Sequence, residues 1–213
     1  MADRMGRGRI GRWVGAAAVL GLVAGFGAVY VSEQGAGNGA DGECAAAVDA
    51  AGRLKPLVKG EIAALIPAER PVSLASLSFL TETGAPTTLG DFAGRTLLVN
   101  LWATWCAPCR AEMPALDRLA GSLDPAKAEV VAVNLDIGNF DKADAFLTET
   151  GVTRLGRWQD PKMGIFNELK QMGLAFGLPT TLLVDDAGCL LGVMHGPAEW
   201  DAPEAAAVIA AAG

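Results

Sequence analysis

The sequence predicts an α/β domain built on a mainly parallel sheet, carried behind an apolar N-terminal segment. Three observations lead there: a change of hydrophobic period near Leu74, strand-like and helix-like runs alternating from there onward, and one uncharged stretch near the start. The 213 residues allow one domain of ordinary size plus a modest appendage. Hydrophobic residues make up 51%, but much of that is alanine, so composition alone does not demand several membrane spans.

Residues 1–12 form a basic N-terminus, with Arg4, Arg7, Arg9 and Arg12 against Asp3. Residues 13–31 carry no charge; at 1.5 Å per residue this run spans about 28 Å, close to a hydrocarbon core. The next Lys or Arg is Arg53, so the positive-inside rule puts the N-terminus in the cytoplasm and the remainder on the far side. A cleaved signal peptide is the alternative. The run exceeds the usual apolar region of such peptides, and no clean small-residue cleavage site follows, which favours an uncleaved single-pass anchor.

Residues 32–43 are a Gly-rich, flexible linker. Residues 44–69 read as a helical extension, with Leu54, Val58, Ile62 and Leu65 at helical spacing, weakened at Gly52 and Pro56 and ended by Pro67. The domain proper occupies 70–213. Its expected strands are 77–80, 96–101, 129–135, 180–185 and 190–194; its expected helices are 106–121, 141–150, 162–172 and 198–212. The last two strands flank Asp186-Ala187-Gly188 and should form an antiparallel hairpin. The net charge is −7, and the basic start leaves −10 on residues 13–213. So acidic a domain argues against nucleic acid as a partner.

The chemistry sits in Trp102-Ala103-Thr104-Trp105-Cys106-Ala107-Pro108-Cys109, which follows a buried strand and opens a helix. Unpaired N–H groups and the dipole at a helix N-terminus stabilise a thiolate, the form of cysteine that attacks. Cys106 is then the exposed attacking sulfur, and Cys109, one turn on and more buried, resolves the mixed disulfide. Pro108 fits the first helical turn, where its missing N–H had no partner. Half of a zinc site is the rival reading. Only Cys44, Cys189 and His195 remain as further ligands, none at ligand spacing, so no metal site is expected.

The segment Val99-Asn100-Leu101-Trp102 through Cys109 to Met113-Pro114, with Gly177-Leu178-Pro179-Thr180-Thr181 and the late Gly196–Trp200, resembles the TlpA/ResA/CcmG group of membrane-tethered extracytoplasmic thioredoxins. The resemblance covers roughly residues 70–212. It implies a thioredoxin fold, a central mixed sheet flanked by helices, acting as a dithiol reductant of extracytoplasmic protein disulfides with no bound cofactor. Where ordinary thioredoxin has a buried aspartate six residues before the first cysteine, this chain has Asn100, which cannot accept a proton. Glu112 is the replacement carboxylate that the resemblance points to. Lying three residues after Cys109, it shares a helix face with it and could take its proton; a solvated helix glutamate is the bland alternative.

The resemblance also makes Pro179 a cis proline that lets an incoming peptide pair as a strand beside the cysteines. Trp105, Ala107, Pro108 and Leu178 are the expected substrate-binding positions; Trp102 borders the same groove or belongs to the core. The Ala-Pro dipeptide lacks the histidine of strongly oxidising relatives, which leans the pair toward reduction.

Cys44 and Cys189 remain. In an oxidising compartment an even count favours a structural disulfide between them, with two free thiols as the alternative. His195 stands alone and reads as a surface or packing residue. A Sco-like copper chaperone would use two cysteines and a distant histidine, but its cysteines are spaced one residue further apart.

The implied location is the inner membrane, with the C-terminal domain in the periplasm. The implied partners are cytochrome oxidase copper-site assembly factors or the subunit itself, with apocytochrome c maturation as the alternative. Electrons would come from a membrane thiol transporter of the CcdA or DsbD kind, because NADPH is absent there.

Overall fold

The structure, a computed structural model, describes residues 42–213; the basic N-terminus, the expected anchor and nearly all of the linker lie outside the described residues. No helix among the described residues is long and apolar enough to cross a membrane.

The centre of the domain is β4 (Thr96–Trp102), a seven-residue strand buried along its whole length. It pairs in parallel with β5 (Ala128–Asn134) and antiparallel with β7 (Thr180–Val184). Both its edges are therefore occupied and both its faces covered, the setting in which an unbroken Leu/Val run forms a strand. Strand β8 (Leu190–His195) returns antiparallel to β7 around the Asp185–Cys189 turn. In that turn the Asp185 carboxylate accepts from the N–H groups of Ala187 and Cys189, and Gly188 takes a positive φ of 84°.

Four short strands complete the sheet: β1 (Ile66–Pro67), β2 (Ser78–Leu80), β3 (Pro86–Thr88) and β6 (Trp158–Gln159). Among the described residues the order is β1-β8-β7-β4-β5-β6-β2-β3. The sheet is mixed, so the mainly parallel expectation gives way to the mixed sheet that the resemblance implied. Strands β3 and β6 were not expected, being too short to show a period.

Period-two alternation divides the core. Leu98 and Trp102 face one side of β4, with Met113 and Leu116 of α2 (Ala107–Ser122), Phe146 of α3 (Asp141–Glu149) and Ile209 of α5 (Pro203–Ala212). Leu97, Val99 and Leu101 face the other, with Ile165 and Leu169 of α4 (Gly164–Gln171). Asn100 shares the face of Leu98 and Trp102, toward α2, which places a polar side chain in the middle of the larger apolar cluster.

The expected extension of 44–69 is only partly helical. Helix α1 (Ala45–Leu54) ends before Pro56, and 3₁₀ turns at Lys55–Leu57 and Gly60–Ile62 follow. Pro67 ends no helix; it lies in β1, an edge strand, where a missing N–H is tolerated. Ile66 pairs with Val193 and Pro67 with Gly192, so the sheet begins before residue 70. A Cβ on Gly192 would lie 3.2 Å from the Ile66 carbonyl oxygen, so glycine lets β1 sit this close. Helix α5 is also shorter than expected: Pro203 is in its first turn, and Ala202 before it is extended.

Candidate active site

Helix α2 begins where β4 ends. Cys106 occupies the N-cap position with an extended backbone, and its sulfur accepts from the Cys109 backbone N–H at 3.3 Å. Cys106 and Cys109 form a disulfide, with Cα atoms 5.3 Å apart. The helix N-terminus thus directs an N–H at the Cys106 sulfur, the arrangement that stabilises a thiolate there once the bond is reduced. Cys109 is fully buried; Cys106 is 6% exposed, less open than an attacking sulfur was expected to be. Ala107 and Pro108 are exposed beside it.

Thr104, in the loop leading to Cys106, is anchored from β5. Its N–H lies 3.2 Å from both carboxylate oxygens of Asp136, a buried residue just past that strand. Asn134 orients the carboxylate, donating from Nδ2 at 3.0 Å, and its own Oδ1 accepts the Asp136 N–H. The parallel pairing sets Trp102 opposite Asn134, so the chain segments leaving the two strands run side by side. Asp136 carries no local signal in the sequence, because its contact with Thr104 spans 32 positions.

Glu112 lies one turn beyond Cys109 and is not the solvated helix glutamate of the bland alternative: it is 2% exposed. Its Oε1 accepts from Asn100 Nδ2 at 2.8 Å; its Oε2 accepts from the Ala198 N–H at 3.2 Å and from Trp200 Nε1 at 3.0 Å. Burial pushes its carboxyl up from 4.5 to about 7, and the donors from Asn100, Trp200 and Ala198 hold it from rising further. Thr181, opposite Asn100 in the β4–β7 register, completes the network: Asn100 Nδ2 lies 2.9 Å from its Oγ1.

In the sequence the Gly196–Trp200 segment stands out only through the resemblance. The structure gives Ala198 and Trp200 a task, as donors to a carboxylate 86 and 88 positions away.

Pro179 follows a cis peptide bond and is buried at the start of β7. Because Thr180 pairs with Leu101, Pro179 and half-buried Leu178 stand at the same sheet end as the cysteines. The Pro179 carbonyl accepts the Gly196 N–H at 3.0 Å, linking this loop to the segment that reaches Glu112. Trp102 belongs to the core, against Phe146 at 5.8 Å, whereas Trp105 is 65% exposed. Two further exposed apolar residues occupy loops at this end, Ile137 after β5 at 83% and Phe176 before β7 at 74%. The His195 ring packs against Phe176 with centroids 5.1 Å apart and planes tilted by 58°.

Cys44 and Cys189 are joined by the second disulfide, with Cα atoms 5.5 Å apart. It ties the start of α1 to the Asp185–Cys189 turn. That turn follows the Val184 end of β7, which pairs with Leu97 at the start of β4, opposite the end that carries Cys106.

A disulfide across one helical turn, set between a central strand and its following helix and flanked by a cis-proline strand, defines a dithiol site on a thioredoxin-like α/β fold. The chain belongs to the Redoxin family, whose match runs over residues 66–209.

It is 41% identical over 116 residues to the thiol:disulfide interchange protein HelX of Rhodobacter capsulatus, covering 53% of this chain and 60% of that protein. It is 33% identical over 122 residues to the thioredoxin-like protein YneN of Bacillus subtilis, covering 56% and 67%. It is 34% identical over 110 residues to the thiol-disulfide oxidoreductase ResA of Oceanobacillus iheyensis, covering 51% and 53%. The chain therefore spans between about half and two-thirds of the length of these relatives. A solved structure from Chlorobium tepidum, described as a thiol:disulfide interchange protein DsbE, superimposes with a TM-score of 0.55 at 28% identity, covering 66% of this chain and 96% of that one.

Proposed function

We propose that this protein is a thiol:disulfide oxidoreductase that reduces disulfides of extracytoplasmic proteins. The observation that carries this reading is the buried carboxyl of Glu112, one turn from Cys109 and held near neutral. A group poised near the working pH suits transfer of a thiol proton in either direction.

In the reduced enzyme the Cys106 thiolate attacks one sulfur of a substrate disulfide; a mixed disulfide forms and the other substrate sulfur leaves as thiolate. Cys109 gives its proton to Glu112, and its thiolate attacks the Cys106 sulfur. The second substrate sulfur leaves, and the Cys106–Cys109 disulfide closes. Two electrons have passed to the substrate. Trp105, Ala107, Pro108 and Leu178 border the substrate, and Pro179 presents a strand end for it to pair with.

The resemblance to the TlpA/ResA/CcmG group, together with the uncharged residues 13–31, supports a single-pass anchor in the inner membrane with the domain in the periplasm. A membrane thiol transporter of the CcdA or DsbD kind then re-reduces the pair. Copper-site assembly of cytochrome oxidase is the process the resemblance favours. Cys109→Ser, which cannot resolve the mixed disulfide, tests the assignment in cells by trapping the partner. Capture of the oxidase subunit or its copper-site factors is expected, and capture of apocytochrome c alone would overturn it.

A further inference from the structure

If Glu112 carries the proton of Cys109, as proposed, it must be stable both ionised and protonated at one buried position. The surroundings are arranged for the ionised form: each polar group given to the carboxylate is an N–H donor. Two of them cannot reverse. The Ala198 backbone N–H and the Trp200 indole are donors only, and both point at Oε2. A proton on Glu112 is therefore excluded from Oε2 and goes to Oε1. There it meets Asn100 Nδ2 at 2.8 Å, donor against donor.

Asn100 is the one member of this set that carries an acceptor beside its donor. It is fully buried, its Nδ2 is shared by Glu112 and Thr181, and its Oδ1 has no partner. Thr181 Oγ1, on the far side of the amide, can accept or donate with equal ease. We propose that Asn100 is a positioning residue for proton transfer, its side-chain amide making a half-turn each time Glu112 gains or loses a proton. With Glu112 ionised, Nδ2 donates to Oε1 and to Thr181. With Glu112 protonated, Oδ1 accepts from the Oε1 hydroxyl, and the Thr181 hydroxyl turns to donate to the same oxygen.

The proton itself passes between the Cys109 thiol and Glu112, one helical turn apart; the amide turn carries no charge. Either orientation leaves one end of the amide without a partner, so neither is favoured on that account and the group is free to follow the proton. No charged side chain among the described residues acts on Glu112. It lies one turn from Cys109 on its own helix and is contacted by Asn100 from β4 and by Ala198 and Trp200 from the segment before α5, while Thr181 of β7 acts on it only through Asn100.

The test is a pH titration of the full oxidised chain in detergent, followed by NMR on the Glu112 carboxyl carbon and the Asn100 side-chain NH₂ pair. Both signals are expected to move with one midpoint near neutral. Glu112→Gln supplies a second reading. With two N–H groups fixed at the Oε2 position, the new amide must put its oxygen there and its NH₂ toward Asn100. That locks Asn100 in the turned orientation, so its NH₂ pair should stay at the acid-end position at every pH.

An Asn100 pair that stays still while Glu112 titrates overturns the half-turn, as does a Glu112→Gln spectrum at the alkaline-end position. A Glu112 that does not titrate near neutral sinks its role as proton carrier instead, and the Glu112→Gln position still decides the amide. Asn100→Leu keeps the branched shape but neither polar end. It is expected to slow resolution of a mixed disulfide about tenfold at neutral pH and to flatten its pH dependence. Slowing with an unchanged pH profile would mean a static packing role and would also overturn the proposal.

Discussion

Glu112 shows desolvation outweighing hydrogen bonding at a single side chain. Asn100, Trp200 and Ala198 favour its ionised form, yet burial dominates and its carboxyl rises from 4.5 to about 7. Between those two values the folded chain holds a proton that the unfolded chain has released. The stability from this group is full below 4.5, falls as pH rises, and is lost above about 7. The shift corresponds to about 3 kcal/mol. Denaturation in urea from pH 4 to pH 8 should show wild type losing about that much relative to Glu112→Gln. A constant difference between the two across this range would contradict the buried, titrating carboxyl.

Asp136 acts at the same scale on the other side of the site. Asp136→Ala leaves the Thr104 N–H without its acceptor. It is expected to cost about 1–3 kcal/mol and to slow disulfide reduction, while Asp136→Asn, keeping one acceptor, retains most of both. Chemical denaturation and a disulfide-reduction assay on the same preparations check this.

Among the elements, those legible in the sequence are the long buried ones. β4 and β5 are seven-residue runs of mostly Val, Leu and Ala, and α2 opens on the cysteine motif. β3 and β6 are three and two residues long and exist because a neighbouring strand edge receives them. The overlong reading of α5 has a different cause. Ala198–Ala202 has helix-forming composition, but Pro203 holds Ala202 extended, and the Ala198 N–H is committed to Glu112.

The site follows the same rule. Cys106 and Cys109 are read locally from their spacing and Glu112 through the resemblance, whereas Trp200 and Asp136 reach it through the fold. α1 is held by the Cys44–Cys189 bond, which closes a separation of 145 residues. Serine at both positions should lower stability by up to about 5 kcal/mol in the chain-entropy picture. Reductase activity below the lowered melting temperature should be unchanged, and loss of activity without a change in melting would contradict a structural role.

At the scale of the molecule, chemistry and apolar exposure gather at one end of the sheet. Trp105, Ile137 and Phe176 stand there in loops after β4, after β5 and before β7. Singly, exposed hydrophobics need no explanation; three at the sheet end that carries the cysteines suit the protein substrate proposed above. Trp105→Ala should raise KM for a protein disulfide several-fold and leave the rate with a small aromatic disulfide nearly unchanged. Equal loss toward both would place the tryptophan's effect on the cysteines themselves.

The Cys44–Cys189 bond is buried at the far end of the sheet from the reactive pair. Two chemically identical bonds in one chain are thereby kept from exchanging with each other. Cys44 and Cys189 are 1% and 2% exposed, so an external dithiol is expected to reduce the Cys106–Cys109 bond first and leave the staple intact. The native protein should accordingly behave as a single two-electron carrier: mild reductant exposes two thiols, and four appear only after unfolding.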